Sequence, residues 1–205
     1  MRQPTRFFPI LRLRFAKHPF GAGQGPRGFA VFLALLTLTV FSAACAPKAT
    51  LAPGSSLPLT SISKNEVEVS IALTRDPQGV VFLTATFTPP PENHLYSKDL
   101  PRNGVNGLGR PTLLELTANS RMTALGALAE SVQAVEEEFE IETLLVYPSG
   151  SVTLSMPISL PPGTEWVDDE VSLTFMACSA SGCKPPIIGE IVQVRVPGAE
   201  AISNP

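Results

Sequence analysis

Residues 175–186 read Phe-Met-Ala-Cys-Ser-Ala-Ser-Gly-Cys-Lys-Pro-Pro. Two cysteines, Cys178 and Cys183, stand either side of Ser179-Ala180-Ser181-Gly182. A strand-like run, residues 171–177, leads in, and a second, residues 187–196, leads out. Small and glycine-containing residues between two such runs predict a hairpin. A hairpin sets the sulfurs opposite each other, with Cβ atoms about 4.5–5.5 Å apart. That is slightly wider than a disulfide prefers, so the pair can close with a small adjustment. Lys184 beside Cys183 favours a thiolate there. Pro185 and Pro186 remove two backbone donors, so the strand ladder should be interrupted just after the second cysteine.

Working outward, the same short-strand grammar recurs. Residues 64–74 alternate, with Val67, Val69, Ile71 and Leu73 on one side and Glu66, Glu68, Ser70 and Ala72 on the other. This is a strand with one buried face. Asp76-Pro77-Gln78-Gly79 has the chemistry of a turn, and residues 80–88 form the returning strand. Prolines 89–91 end that strand, residues 94–97 are extended, and residues 98–110 form a long loop containing Gly104, Gly107 and Gly109. Further strands are expected at 111–117, 131–135, 144–147 and 151–160, while 119–128 reads as a helical turn or a loop. Seven to nine short strands without a sustained helical period predict an all-β antiparallel sandwich.

The N-terminal part differs in composition. Six basic residues and no acid lie in residues 1–28, followed by sixteen uncharged residues, 29–44, and then Cys45. A basic region, a short apolar run and small residues describe an export signal. Ser42-Ala43-Ala44 before Cys45 resembles the lipobox of bacterial lipoproteins, which implies cleavage before Cys45 and a diacylglycerol on its sulfur. The other reading is an uncleaved membrane anchor. The expected organisation is a lipoprotein-type signal peptide at 1–44, a lipidated Cys45 with a flexible tether through 63, a sandwich domain at 64–197 and a loose tail at 198–205. The domain is then extracytoplasmic, lipid-anchored to the cell membrane. Residues from 45 onward carry nine bases against eighteen acids, a formal charge of −9. So acidic a domain is a poor nucleic-acid binder. With Cys45 acylated, the remaining two of three cysteines form one pair.

That pair is the strongest candidate for chemistry. A structural disulfide is common in exported domains, yet so short a ring contributes only about 2 kcal/mol by chain entropy, against nearly 5 for one of a hundred residues. Cys178 and Cys183 are therefore read as a candidate redox couple, with Lys184 as the residue tuning thiol acidity. Other constellations are weaker. His94 is the one histidine after Cys45 and has no Cys or carboxylate cluster in sequence to make a metal site, so it reads as a strand-end residue and no metal is expected. No nucleophile-elbow motif accompanies it. Residues 104–109 lack the Lys-Ser/Thr of a phosphate loop. Glu136 and the acids following it read as a solvated acidic edge.

The run Cys178…Cys183-Lys184-Pro185-Pro186 resembles the closing segment of the N-terminal periplasmic domain of DsbD-type thiol:disulfide interchange proteins. His94-Leu95-Tyr96-Ser97, the glycine-rich loop and Gly109-Arg110-Pro111-Thr112 are similar to a second motif of that family, in the same order. The sequence departs from the pattern at Asn93, at Lys184 and by one residue in the cysteine spacing, which bears on partner choice and reduction potential. The resemblance implies an immunoglobulin-like antiparallel β-sandwich. It also implies a relay of electrons from a membrane-embedded thiol redox protein to exported thioredoxin-like or cytochrome-maturation thiol proteins, with no cofactor beyond the two sulfurs. Cys183 would attack the partner and Cys178 would resolve the mixed disulfide. The loop carrying Asn103, Gly104, Gly107 and Gly109 is either a cap over the pair or an ordinary surface turn. The reading from a different functional class is a membrane-tethered sandwich that binds a partner and keeps its disulfide as a brace.

Overall fold

The computed structural model describes residues 49–136 and 144–203. Its strands, in chain order, begin with β1 (Ala49–Thr50), β2 (Ser56–Lys64), β3 (Val67–Arg75) and β4 (Val81–Thr88). Then come β5 (His94–Leu95), β6 (Leu113–Leu116), β7 (Thr123–Ala124), β8 (Ala129–Glu130), β9 (Val135–Glu136) and β10 (Leu145–Val146). Long strands return with β11 (Val152–Ser159) and β12 (Trp166–Phe175), followed by β13 (Ala177–Ser179), β14 (Gly182–Cys183), β15 (Ile187–Pro197) and β16 (Ile202–Ser203). The largest sheet has the order β2-β3-β4-β11, with β7 and β8 along the far side of β11. The second has the order β15-β12-β6, and a third, small sheet β14-β13-β5 carries the cysteines. Pairing within these three sheets is antiparallel throughout.

The fold is the all-β antiparallel sandwich expected from the alternation. On β3, Val67, Val69, Ile71 and Leu73 are buried and Glu68 and Ser70 are exposed. Leu83, Ala85 and Phe87 of β4 and Val152 and Leu154 of β11 line the same inner face. Val171, Leu173 and Phe175 of β12 and Val192, Val194 and Val196 of β15 complete the core from the second sheet. Phe87 and Phe175 meet edge to face across it, ring centroids 5.6 Å apart at 66°. Full burial of each such side chain is worth about 1.5–3 kcal/mol.

Four expectations are corrected. Residues 56–63, read from composition as tether, are the body of the nine-residue edge strand β2, with Leu57, Leu59 and Ile62 packed against the core. Pro58 is tolerated because an edge strand need not donate outward, and a register shift follows it. Lys64 consequently ends β2 rather than starting β3. Asn65 and Glu66 form the intervening two-residue turn, both at positive φ (49° and 65°). Asn65 suits such a turn, but Glu66 stands where glycine is usual, so the hairpin carried only half of its sequence signal. Residues 198–203 are not a loose tail either. Ala199–Ala201 is a 3₁₀ turn, Ala201 and Ile202 are buried, and β16 pairs with β1 in parallel. Finally, 131–135 is not one strand: Ser131 ends a contact with β11, and β9 pairs instead with β10. Alternating apolar residues there are too few to select one partner. The export segment, Cys45 and the acidic residues 137–142 lie outside the described residues.

Candidate functional site

The cysteine hairpin grows from the end of the longest inner strand. β12 finishes at Phe175, Met176 breaks the ladder, and Ala177 opens β13. Cys178 pairs in register with Cys183 and Ser179 with Gly182, leaving Ala180 and Ser181 as the turn. The side-chain oxygens of Ser179 and Ser181 lie 2.9 Å apart, and the Ser181 N–H donates to Ser179 Oγ. Opposite Cα atoms stand 4.0 Å apart and the two sulfurs are bonded. This is the hairpin-spanning disulfide the spacing allows.

The two halves of the disulfide are not equivalent. Cys178 is only 2% exposed and belongs to a small apolar cluster with Tyr96, Leu100, Leu144 and Val146. Cys183 is exposed. The difference follows from position in the small sheet. β13 is central, flanked by β5 and β14, whereas β14 is the edge. His94 lies opposite Cys178 on β5, and its ring meets Tyr96 edge-on at 5.2 Å. A cleft of about 410 Å³ opens beside the hairpin, lined among others by Glu92, His94, Glu136, Val146 and Ala180.

The loop singled out in sequence meets the same apolar cluster through two of its residues. Val105 packs on the cluster that contains Cys178, and Leu100 is part of it. Val105 and Leu108 exchange two backbone hydrogen bonds of 2.9 Å around Asn106-Gly107, both at positive φ. Gly104 is obligatory for space as well as conformation, since a Cβ there would stand 1.9 Å from the Leu108 carbonyl oxygen. At Gly109 a Cβ would press on Tyr96 and Leu144 at 3.1 Å. Arg110 then ties the loop together: its Nη1 donates to the carbonyls of Asn103, Gly107 and Gly109. Sequence reading gave Arg110 no such role, because a guanidinium that binds backbone carbonyls leaves no pattern of paired side chains.

Two further side chains hold the base of this region. Tyr147, buried in the main core, donates its hydroxyl to Glu130 Oε2 at 2.6 Å and accepts from the Lys98 N–H. Burial, reinforced by that carboxylate, pushes the phenol well above its ordinary value. Thr112, fully buried, donates its hydroxyl to the Tyr96 carbonyl at 2.7 Å.

Lys184 follows the exposed sulfur. Its N–H donates to the Ala177 carbonyl, closing the hairpin, and its ammonium donates to Glu66 Oε1 at 2.6 Å. The neighbouring Pro185 carbonyl accepts from Asn65 Nδ2, also at 2.6 Å. The ammonium that follows Cys183 in sequence is therefore paired, by a residue more than a hundred positions away. Among the described residues no three His, Cys, Asp or Glu side chains gather as a metal site would require. No described helix is long and apolar enough to cross a membrane.

No family model matches the chain, and no curated protein matches it. Among solved structures, the chain is similar to the crystal structure of the Neisseria meningitidis DsbD N-terminal domain in the reduced form. The two are 14% identical over 70% of this chain and 85% of that one, with a TM-score of 0.36. A likeness at that level carries no argument; a functional reading of the chain rests on the geometry of the cysteine hairpin and on the sequence motifs.

Proposed function

We propose that this chain is an extracytoplasmic thiol:disulfide interchange protein that works through Cys178 and Cys183. The observation that carries the reading is the asymmetry of the pair: one cysteine exposed on a sheet edge, the other buried in an apolar cluster on which Val105 of the glycine-rich loop packs. Exchange needs one sulfur within reach of a partner and a second that attacks from within. In the charging half-reaction a thiolate of a reduced dithiol partner attacks Cys183 Sγ. The Cys178–Cys183 bond breaks and Cys178 leaves as a thiolate. The partner's second thiolate then attacks its own sulfur in the mixed disulfide, releasing Cys183 and leaving the partner oxidised. Two electrons have moved and two protons are taken up by the thiols. In the discharging half-reaction Cys183 attacks an oxidised partner and Cys178 resolves the mixed disulfide.

In this proposal the electron donor is a membrane-embedded thiol redox protein, and the acceptors are exported thioredoxin-like or cytochrome-maturation thiol proteins. Acylation of Cys45 would keep the domain at the membrane that holds the donor. The loop carrying Asn103, Gly104, Gly107 and Gly109 would restrict access to the buried half. A structural brace is the competing reading, and the 2% exposure of Cys178 is what favours it.

The reduction potential separates the two. The full chain is equilibrated in graded thiol/disulfide buffers and its free thiols are alkylated. A potential of roughly −270 to −120 mV, the range of exchange proteins, is expected. A value below about −300 mV marks a structural bridge and overturns the relay.

A further inference from the structure

We propose that Glu66 is a positioning residue for this site: by holding the Lys184 ammonium it keeps the Cys183 thiol less acidic than its neighbouring lysine alone would make it. The inference rests on the exchange reading for its purpose, though not for its test.

The β2–β3 turn is built in an unusual way. Asn65 and Glu66 both adopt left-handed backbone, which Asn tolerates and Glu rarely adopts. Such conformations persist where surrounding contacts over-determine them. Here three consecutive residues reach the chain that follows Cys183. Lys64 pairs with Glu190 at 2.8 Å, Asn65 donates to Pro185 O, and Glu66 accepts from Lys184 Nζ. The segment they hold includes Pro185 and Pro186, which have no N–H and so cannot be secured by a neighbouring strand in the ordinary way. Side chains from a distant hairpin do what the ladder cannot.

The electrostatic consequence follows from the charges around the sulfur. Lys184, the next residue along the cysteine's own segment, carries a cation. Glu66 faces it from the β2–β3 turn, and the Lys64–Glu190 pair lies further along the same edge. On the β5 side His94 stands opposite Cys178, with Glu92 and Glu136 across the cleft at Ala180. An unpaired ammonium next to a thiol stabilises the thiolate. Held by Glu66, the ammonium is kept from turning toward the sulfur, so its field there is weakened. A thiol kept near its ordinary acidity is the better nucleophile per thiolate and the poorer leaving group. The pair is thereby biased toward giving electrons away.

The test uses the reduced full chain, with Cys183 alkylation by iodoacetamide followed against pH and each modified site assigned by mass spectrometry. Glu66→Gln is expected to lower the apparent pKa of Cys183 and to raise its alkylation rate below that pKa by about two- to threefold, the size of one partly screened charge nearby. Lys184→Gln should shift the profile the other way. In a Lys184→Gln background the Glu66→Gln effect should shrink, because the positioning partner is gone. An unchanged pH profile in Glu66→Gln, with only a lower melting temperature, overturns the proposal. Equal shifts in both backgrounds overturn it too, since Glu66 would then act without Lys184. These readouts need no exchange partner. A potential in the structural range would sink the relay while leaving this result standing.

Discussion

The main sandwich and the cysteine sheet are both antiparallel β-structure, but they are held in opposite ways. β3, β4, β11, β12 and β15 are eight to eleven residues long and bury alternate side chains in one continuous core. β5, β13 and β14 are two or three residues long: Leu95 and Ala177 reach the main core, Cys178 enters a small separate cluster, and both residues of β14 are exposed. Strands that short cannot bury enough apolar surface to offset the entropy of ordering them. They rely instead on a covalent link, a packed loop and side chains from distant strands. Where a site needs one sulfur reachable and reactive, this second construction has the advantage. Its parts can yield locally without opening the core.

The largest effect is expected from an attack on the core, which tests how far the two regions stand or fall together. Phe87→Ala removes the ring that meets Phe175. It should cost about 3–5 kcal/mol, read as a lower denaturant midpoint, with cysteine hairpin and sandwich lost together in one transition. If the hairpin instead melts first, the two regions are less coupled than the shared strand end at Phe175 implies.

Reducing the disulfide should cost less, about 2 kcal/mol for so small a ring. Far-UV circular dichroism of the sandwich should survive intact at room temperature. Global unfolding on reduction would show that the link braces the whole domain, which is the competing functional reading.

The smallest effect concerns the joint between the regions. Tyr147 lies in the main core, and its hydroxyl contacts Glu130 and the start of the loop at Lys98. Its phenol is raised in the folded chain, so the unfolded chain ionises first as the solution becomes alkaline. The stability this contributes is fully present below the ordinary phenol value of about 10 and is lost as pH rises beyond it. Tyr147→Phe should therefore destabilise by about 1–2 kcal/mol at neutral pH through the lost hydrogen bond and flatten the alkaline part of the stability curve. An equally steep alkaline loss in the variant would assign that titration to another group.

Much of this was legible in sequence where a pattern repeats along the chain. Alternation placed β4, β11 and β15 within a residue or two and β3 with its start three residues early, and the Asp76–Gly79 turn closes as its chemistry implies, with Asp76 Oδ1 accepting from the Val80 N–H. β12 was seen only in its second half. Asp169 breaks the apolar alternation, yet it is buried, accepting from Ser120 Oγ and the N–H groups of Arg121 and Met122. A buried carboxylate satisfied by a distant loop cannot be told from a surface one without knowing the loop is there. The site divides in the same way. The hairpin and its cysteine pair were legible because they are local. The roles of Arg110, Asn65 and Glu66 were not, because their partners are backbone carbonyls or lie far along the chain.

Local sequence was thus enough for the regularly alternating strands β4, β11 and β15, the turn between the cysteines and the chemical identity of the candidate couple. Each of these depends on residues within a few positions of one another, where backbone sterics and the two-residue period decide. The burial of Cys178 against the exposure of Cys183, the entry of residues 56–64 into the sheet and the meeting of Lys184 with Glu66 came only with the assembled fold. Burial and charge pairing are properties of what packs against a residue, and those neighbours arrive from elsewhere in the chain.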